Sequence, residues 1–242
     1  MNYKAQIIFF IFLISALTSS VSAKPQLNKP YFNNDNQSGA FFETPIVIKD
    51  ANDFNQLQKS IWDFPTKLKH EKLGSKEVTS CFELNSKLDK GFTAANLYEF
   101  SFVNAQRTIC SMWQLIGKFK PYNQSFMYDV KLNKDFANIA PANFSLQISN
   151  NQLEKKSSAT WNAASKVINV DIRNDSSATF YDDSGSIQRL TLMVKGDYNS
   201  DGIEDQLYFV ENSVEGGSYS STKVFIVTRI TADAPLSLLE EI

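Results

Sequence analysis

Hydrophobic and polar residues alternate along most of the C-terminal third of the chain, the pattern of half-buried antiparallel strands. Five such runs lie between residues 166 and 230, separated by turns rich in Asp, Asn, Ser and Gly: KVINVDI, SATFYDD, IQRLTLMVKGD, DQLYFVEN and TKVFIVTRI. No internal repeat accompanies them, so tandem blades of a propeller are not expected. The pattern predicts a β-rich C-terminal region over residues 166–242.

The middle of the chain shows the same alternation in three shorter runs, NLYEFSFV (96–103), SFMYDVKL (125–132) and NFSLQIS (143–149). These runs predict further antiparallel strands. Between the first two lies NAQRTICSMWQLIG, residues 104–117, where apolar residues fall at helical spacing and Gly117 could end a helix. The same segment also suits a strand paired with residues 97–103, and the pattern leaves both alternatives open.

The N-terminal part of the mature chain predicts a short strand at Ile46–Ile48 followed by a helix. Phe54, Leu57 and Ile61 share one helical face, Asn52 or Asp53 could cap the start, and Pro65 marks the end. The predicted fold class is therefore α+β: β-rich, mainly antiparallel, with one N-terminal helix.

Composition divides the chain into five segments. Residues 1–23 form a signal segment, 24–43 an irregular leader rich in Pro and Asn, and 44–149 a β-rich region with the N-terminal helix. Residues 150–165 are a polar linker or long loop, and 166–242 are the C-terminal β-rich region.

The first 23 residues have the pattern of a secretory signal peptide. Lys4 precedes an apolar run from Ile7 to Leu17, and small residues at Val21 and Ala23 predict cleavage after Ala23. The run is shorter than the roughly 20 residues that span a bilayer, so no transmembrane segment is expected after cleavage. We expect a periplasmic or secreted protein.

The charge balance bears on the kind of partner. The chain has 24 Lys and Arg against 26 Asp and Glu; cleavage removes Lys4, which gives 23 − 26 = −3. A mildly acidic, mixed surface argues against nucleic acid as the partner. An unidentified protein or carbohydrate ligand remains the expectation.

Two cysteines, Cys81 and Cys110, are the only ones in the sequence. An even pair in an exported chain predicts a disulfide. A catalytic thiol would need a histidine partner, and the single histidine, His70, stands in the charged stretch KLKHEKLG.

The segment KGDYNSDGIEDQLYFV, residues 195–210, gathers the candidate metal ligands. Counting Asp197 as position one, side-chain oxygens recur at positions one, three, five and nine, and Gly202 stands at six; the set is Asp197, Asn199, Asp201, Asp205 and the backbone carbonyl of Ile203. A calcium ion binds six to eight oxygens at about 2.3–2.6 Å, and a tightly wound loop directs alternate residues inward. The alternative is a metal-free turn in which Asp and Asn cap their own backbone.

Residues 196–210 resemble the DxNxDGxxD calcium loops of FG-GAP and dockerin-type modules in exported bacterial proteins. The resemblance implies a bound Ca²⁺. Position twelve is Tyr208 in a strand-forming run, not the bidentate Glu of an EF-hand, so we expect a metal-held connection between two strands. Water, Glu211 or Glu215 could supply a further ligand, and the dissociation constant expected is on the order of 10⁻⁴–10⁻³ M.

These patterns predict an exported, non-enzymatic envelope or secreted binding protein with a structural calcium loop. The alternative is a secreted glycoside hydrolase with a carboxylate pair, for which Asp182 with Asp183, or Asp171 with Asp175, are the candidates. Among the aromatic residues, Trp62 and Trp113 are expected in the core, whereas Trp161 is the candidate for an exposed, sugar-stacking ring.

Overall fold

A computed structural model describes residues 27–34, 41–44, 46–147 and 159–242. The predicted signal peptide, residues 1–23, lies outside these residues, as does most of the predicted linker. In the described part, no helix combines the length and apolar character that a bilayer span requires.

A seven-stranded antiparallel sheet forms the centre of the fold. Its strands are β1 (Tyr31–Phe32), β5 (Val167–Asn174), β6 (Ser177–Asp182), β7 (Ser186–Gly196), β8 (Asp205–Val214), β9 (Ser220–Thr228) and β10 (Ser237–Glu241). Their order is β10-β9-β8-β7-β6-β5, and β1 pairs with β7. β1 therefore lies in the segment expected to be an irregular leader.

The rest of the described chain has short strands and helices. A second antiparallel sheet contains β2 (Thr66–His70), β3 (Gly74–Val78) and β4 (Thr93–Ala94). The main helices are α1 (Ala51–Leu57), α2 (Cys81–Leu88) and α3 (Leu97–Ile116); single turns occupy Phe136–Ile139, Ala142–Phe144 and Trp161–Ala164. The predicted β-rich, antiparallel class is confirmed. The described chain contains three main helices, whereas the sequence predicted a single one.

The large sheet is buried on both faces. Val194, Leu207 and Ile226 point to one face, where they join the core formed with the helices and the small sheet. Tyr208 and Phe225 point to the other, where residues 127–144 and 161–167 supply an aromatic cluster that includes Phe136 and Trp161. Coverage of both faces explains why the burial patterns of β7, β8 and β9 include consecutive buried residues.

The strand predicted at residues 96–103 is wrong. Asn96 accepts a hydrogen bond from the amide of Glu99 and caps α3, which continues to Ile116 and includes the ambiguous residues 104–116. Tyr98, whose alternation suggested a strand, is 96% exposed, whereas Cys110 and Trp113 are fully buried at helical spacing. Burial of the helical face, not the period-two aromatic pattern, determines this segment.

The strands predicted at residues 125–132, 143–149 and 46–48 are also absent from the described part of the chain. Residues 125–132 form turns, in which the amide of Val130 bonds to the carbonyl of Met127, and residues 142–144 form a 3₁₀ turn; Ile148 lies outside the described residues. Residues 46–48 are not a strand because the Asn34 side chain bonds both the amide and the carbonyl of Ile48.

Helix α1 lies in the segment where the sequence predicts a helix, but its ends differ from the predicted ones. Its cap is Asp50, not Asn52 or Asp53, because Asp50 accepts from the Asn52 amide and a capping box with Asp53 completes the first turn. The helix ends at Leu57, and Ile61 beyond it is 74% exposed, so it is not part of the buried face.

Candidate metal centre

The acidic loop connects the two longest strands of the large sheet, β7 and β8, whose ends pair at Gly196 and Asp205. The chain reverses through two residues with positive φ, Ser200 at 69° and Gly202 at 82°. Glycine adopts this conformation without the steric cost that other residues have. Gly202 therefore occupies the turn position that the sequence assigns to it.

The loop is attached to the segment that follows α3. Lys120 and Asp197 exchange two backbone hydrogen bonds of 2.8 and 2.9 Å, and the Gln124 carbonyl accepts from the Glu204 amide at 2.8 Å. Tyr198 adds a side-chain connection, because its ring packs on Phe119 with centroids 5.3 Å apart. Both ends of the loop are thus held by neighbouring chain.

Three of the predicted ligand side chains bond the loop's own backbone. Asp197 accepts from the amides of Ser200 at 2.6 Å and Gly202 at 2.9 Å, one through each carboxylate oxygen. Asn199 accepts from the Asp201 amide, and Asp201 accepts from the amide of Ile203. These bonds are those of a self-capping turn. Asp197 Oδ1 also accepts from the Asp201 amide at 3.2 Å, whereas Asp197 Oδ2 and the two Asp201 oxygens each keep a lone pair.

Asp205 differs from the other acids of the loop. It is fully buried, and its Oδ2 accepts from the Tyr198 amide at 2.8 Å, which orients the carboxylate toward the loop. Its Oδ1 forms no hydrogen bond of normal geometry in the described part of the chain, although the hydroxyl of Thr228, its partner residue on β9, lies near enough to stabilise the carboxylate. Burial raises the pKa of Asp205 from 3.8 to about 6. A buried oxygen without a hydrogen bond of normal geometry is rare and requires an explanation.

The described side chains alone do not form a complete metal-binding site. Within the described ranges, no three His, Cys, Asp or Glu side chains converge as a metal-binding group. Glu211 and Glu215 are not additional ligands, because they lie toward the far end of β8. Glu211 is six residues from Asp205, or roughly 20 Å along a strand. Any remaining coordination would have to come from backbone carbonyls, Asn199 and water.

Near the loop, sequence reasoning missed a buried polar chain. Glu204 is 5% exposed and accepts from Gln206, which in turn accepts from the Tyr208 hydroxyl. Burial, with the nearby Glu204 carboxylate, raises the pKa of Tyr122 to about 12. An acid directly before the strand in DGIEDQ was the available signal.

The disulfide between Cys81 and Cys110 is confirmed, and it joins the first turn of α2 to the middle of α3. His70 lies at the β2–β3 turn, where its Nδ1 accepts from the Lys72 amide.

Trp161 does not have the exposed position predicted for it: this residue is fully buried against Phe144 and Phe180.

The carboxylates proposed for a hydrolase have other contacts. Asp182 is buried at 5% exposure and accepts from the side chains of Ser165, at 2.6 Å, and Ser184, at 2.7 Å. Asp171 lies on the edge strand β5 and accepts from Asn169. Asp182 is therefore a structural hydrogen-bond acceptor.

Comparison of the chain with known protein families, curated protein sequences and solved structures finds no match.

Proposed function

We propose that the chain is an exported, non-enzymatic binding protein in which the loop from Asp197 to Asp205 holds one structural calcium ion. The observation that carries the proposal is the fully buried Asp205 carboxylate, whose Oδ1 forms no hydrogen bond of normal geometry among the described residues and whose pKa burial raises. It stands at position nine of the ligand order, and the amide of Tyr198 orients it toward the loop.

Electrostatics support a cation at this place. Three aspartates in nine residues repel one another, and the charge of Asp205 is separated from water. A divalent cation would neutralise this charge and give Oδ1 a ligand. It would also fix the turn that leads into β8.

The export part of the proposal rests on two features. The first 23 residues have the pattern of a signal peptide, and the buried disulfide is typical of an oxidising compartment. We propose the periplasm or the cell exterior as the location. The hydrolase alternative stays a prediction without an observation that favours it, because Asp182 is occupied by serine hydroxyls.

Thermal unfolding with and without calcium tests the proposal. Calcium should raise the unfolding temperature, with a gain in unfolding free energy of RT ln(1 + [Ca]/Kd), about 1.4 kcal/mol at ten times Kd. Magnesium should give a smaller gain, because it requires octahedral geometry at shorter distances and loses its water reluctantly.

Asp201→Ala should remove most of the calcium-dependent gain, since it deletes a central ligand and keeps the glycine of the turn. The matched control is Asp183→Ala, an exposed aspartate in the β6–β7 turn, which should keep the full gain. Equal unfolding temperatures of the wild type in millimolar calcium and in chelator would refute the calcium proposal and leave the metal-free turn.

A further inference from the structure

Helix α3 contacts β9 of the large sheet, and its two halves differ in exposure. Its C-terminal half carries the fully buried Cys110, Trp113 and Ile116, whereas Phe100 and Phe102 in the N-terminal half are about half exposed. Between this N-terminal half and the sheet lie an outer cavity of about 720 Å³ and an inner one of about 330 Å³. Both are lined by Ala105, Arg173, Arg189, Glu211 and Thr222, so they form one continuous cleft.

The floor of the cleft changes in character from its mouth inward. The outer cavity includes the hydroxyl side chains of Ser213 and Ser220, which are direct partners across β8 and β9. The next residues inward on the same face are Arg189 and Glu211, which are partners across β7 and β8. Beyond them the inner cavity is lined by the apolar side chains of Phe102, Ile109, Met112, Met193 and Phe209, with the polar Gln106, Ser177 and Thr191 at its edges. The cleft therefore has a polar mouth, a charged middle and an interior in which large apolar side chains predominate.

The charged middle has an excess of positive charge. In the described residues, Arg173, Arg189 and Glu211 are the charged side chains that line the cleft, which gives a net charge of 2 − 1 = +1. Arg189 donates to both oxygens of Glu211, from Nε at 2.6 Å and from Nη2. A guanidinium has five N–H groups, so three of those on Arg189 remain for a ligand. Arg173 is exposed and forms no ion pair within the described ranges.

We propose that this cleft binds an amphipathic organic acid, with its acidic head at Arg189 and Arg173 and its apolar body in the inner cavity. The inference rests on the proposed function of a binding protein and names its ligand class. Pockets of about 300–1,000 Å³, mostly apolar with a few placed polar groups, are typical of small-molecule sites. At roughly 30 Å³ for each water-sized group, the inner cavity holds about ten such groups.

An acidic oligosaccharide is the rival ligand for the outer cavity. Hydroxyl groups at Ser220 and Ser221 and the ring of Tyr219 would suit a sugar. The apolar inner cavity would then stay unfilled, which is why we favour a ligand with an apolar body.

Calorimetric titration of the mature protein with decanoate tests the proposal, with decanol as the uncharged ligand of equal chain length. Decanoate is kept below the solubility limit of its calcium salt. We expect saturable binding of both ligands, with decanoate at least tenfold tighter because of the charge-assisted bonds to the guanidinium groups. Absence of decanoate binding, or equal affinity of the two ligands, would overturn the proposal, as would saturable binding of trigalacturonate alone.

Variants of the cleft separate its head site from its apolar site. The double change Arg189→Gln with Glu211→Gln removes the ion pair without leaving one partner unpaired, and it should weaken decanoate at least tenfold while decanol is unchanged. Ala105→Phe should weaken both ligands, since this residue lines both cavities. Arg107→Gln is the matched control on α3, because Arg107 is exposed outside the cleft, and it should change neither affinity.

The same titration in chelator distinguishes this proposal from the calcium proposal. Decanoate binding without a calcium effect on unfolding would support the cleft and refute the calcium loop. A calcium effect without decanoate binding would do the reverse. Unchanged decanoate affinity in a correctly folded Arg189→Gln, Glu211→Gln variant would refute the head site.

Discussion

Asp205→Asn gives the sharpest prediction for the candidate metal loop, because one change should have opposite effects with and without calcium. The substitution keeps the shape of the side chain and removes its charge. The Asn oxygen can still accept from the Tyr198 amide, as Asp205 does at 2.8 Å. Its new N–H group can donate to the hydroxyl of Thr228, the cross-strand neighbour that lies near the carboxylate.

The magnitude follows from the pKa of Asp205, which burial raises from 3.8 to about 6 in the metal-free protein. Each tenfold change in proton affinity corresponds to about 1.36 kcal/mol, so ionised Asp205 lowers the free energy of unfolding by up to about 3 kcal/mol. The folded pKa is the higher one, so this destabilisation is absent below pH 3.8. It grows between pH 3.8 and 6 and is complete above pH 6. In chelator at pH 7.5, Asp205→Asn should therefore be more stable than the wild type by up to about 3 kcal/mol.

Chemical denaturation in chelator at pH 7.5 and pH 4.5 measures this difference, and thermal unfolding in calcium measures the opposite one. At pH 4.5 the advantage of the variant should be smaller, because Asp205 of the wild type is then largely protonated. In calcium the variant should lose most of the gain of the wild type. If the variant is less stable than the wild type in chelator at pH 7.5, the Asp205 carboxylate is not the destabilising group inferred here.

Two further changes test the disulfide and the turn. Replacing Cys81 and Cys110 together by Ser should lower the unfolding free energy by about 3.6 kcal/mol in the chain-entropy model for a separation of 29 residues, measured by urea denaturation; an unchanged urea midpoint would contradict it. Gly202→Ala should destabilise by about 1–2 kcal/mol, because φ is 82° and the added Cβ would lie 3.2 Å from the side-chain Nδ2 of Asn123. The same assay measures it, and Gly185→Ala, with a φ of 83° and no atom within 4 Å, shows how much of the cost is conformational alone.

The C-terminal strands could be predicted from the sequence because turn-forming residues mark where each strand ends. Each of the five runs agrees with the observed strand to within two residues, as for Val167–Asn174 and Asp205–Val214. Asp, Asn, Ser and Gly mark every connection, and β-branched and aromatic residues fill the strands. β10 (Ser237–Glu241) was not predicted, since its sequence SLLEE consists of residues that favour helices.

The long helix could not be predicted with the same rules, because its exposed residues gave a misleading signal. Tyr98, Phe100 and Phe102 alternate as in a strand, yet none of them is buried. Apolar residues on a surface carry no periodic information about the core. The disulfide at Cys110 and the burial of Trp113 determine the helical face, and both depend on segments distant in sequence.

For the candidate site, the order of possible ligands and the turn at Gly202 were visible in the sequence. The burial of Asp205 was not, because β9 causes it by placing Thr228 opposite Asp205. The cleft was also not visible in the sequence. Arg189 and Glu211 are 22 positions apart and become neighbours through the register of β7 and β8.

The two proposed sites lie at opposite ends of α3. The metal loop contacts the chain just beyond the C-terminal end of the helix, through Lys120 and the packing of Phe119 on Tyr198. The cleft opens under the N-terminal half, and a helix of 20 residues spans about 30 Å. An ion in the loop would thus fix the end of α3 that is already packed on the sheet. It would not contact a ligand in the cleft. Calcium in the proposed loop would stabilise the fold without taking part in recognition at the proposed cleft, and the chelator titrations above measure the two effects separately.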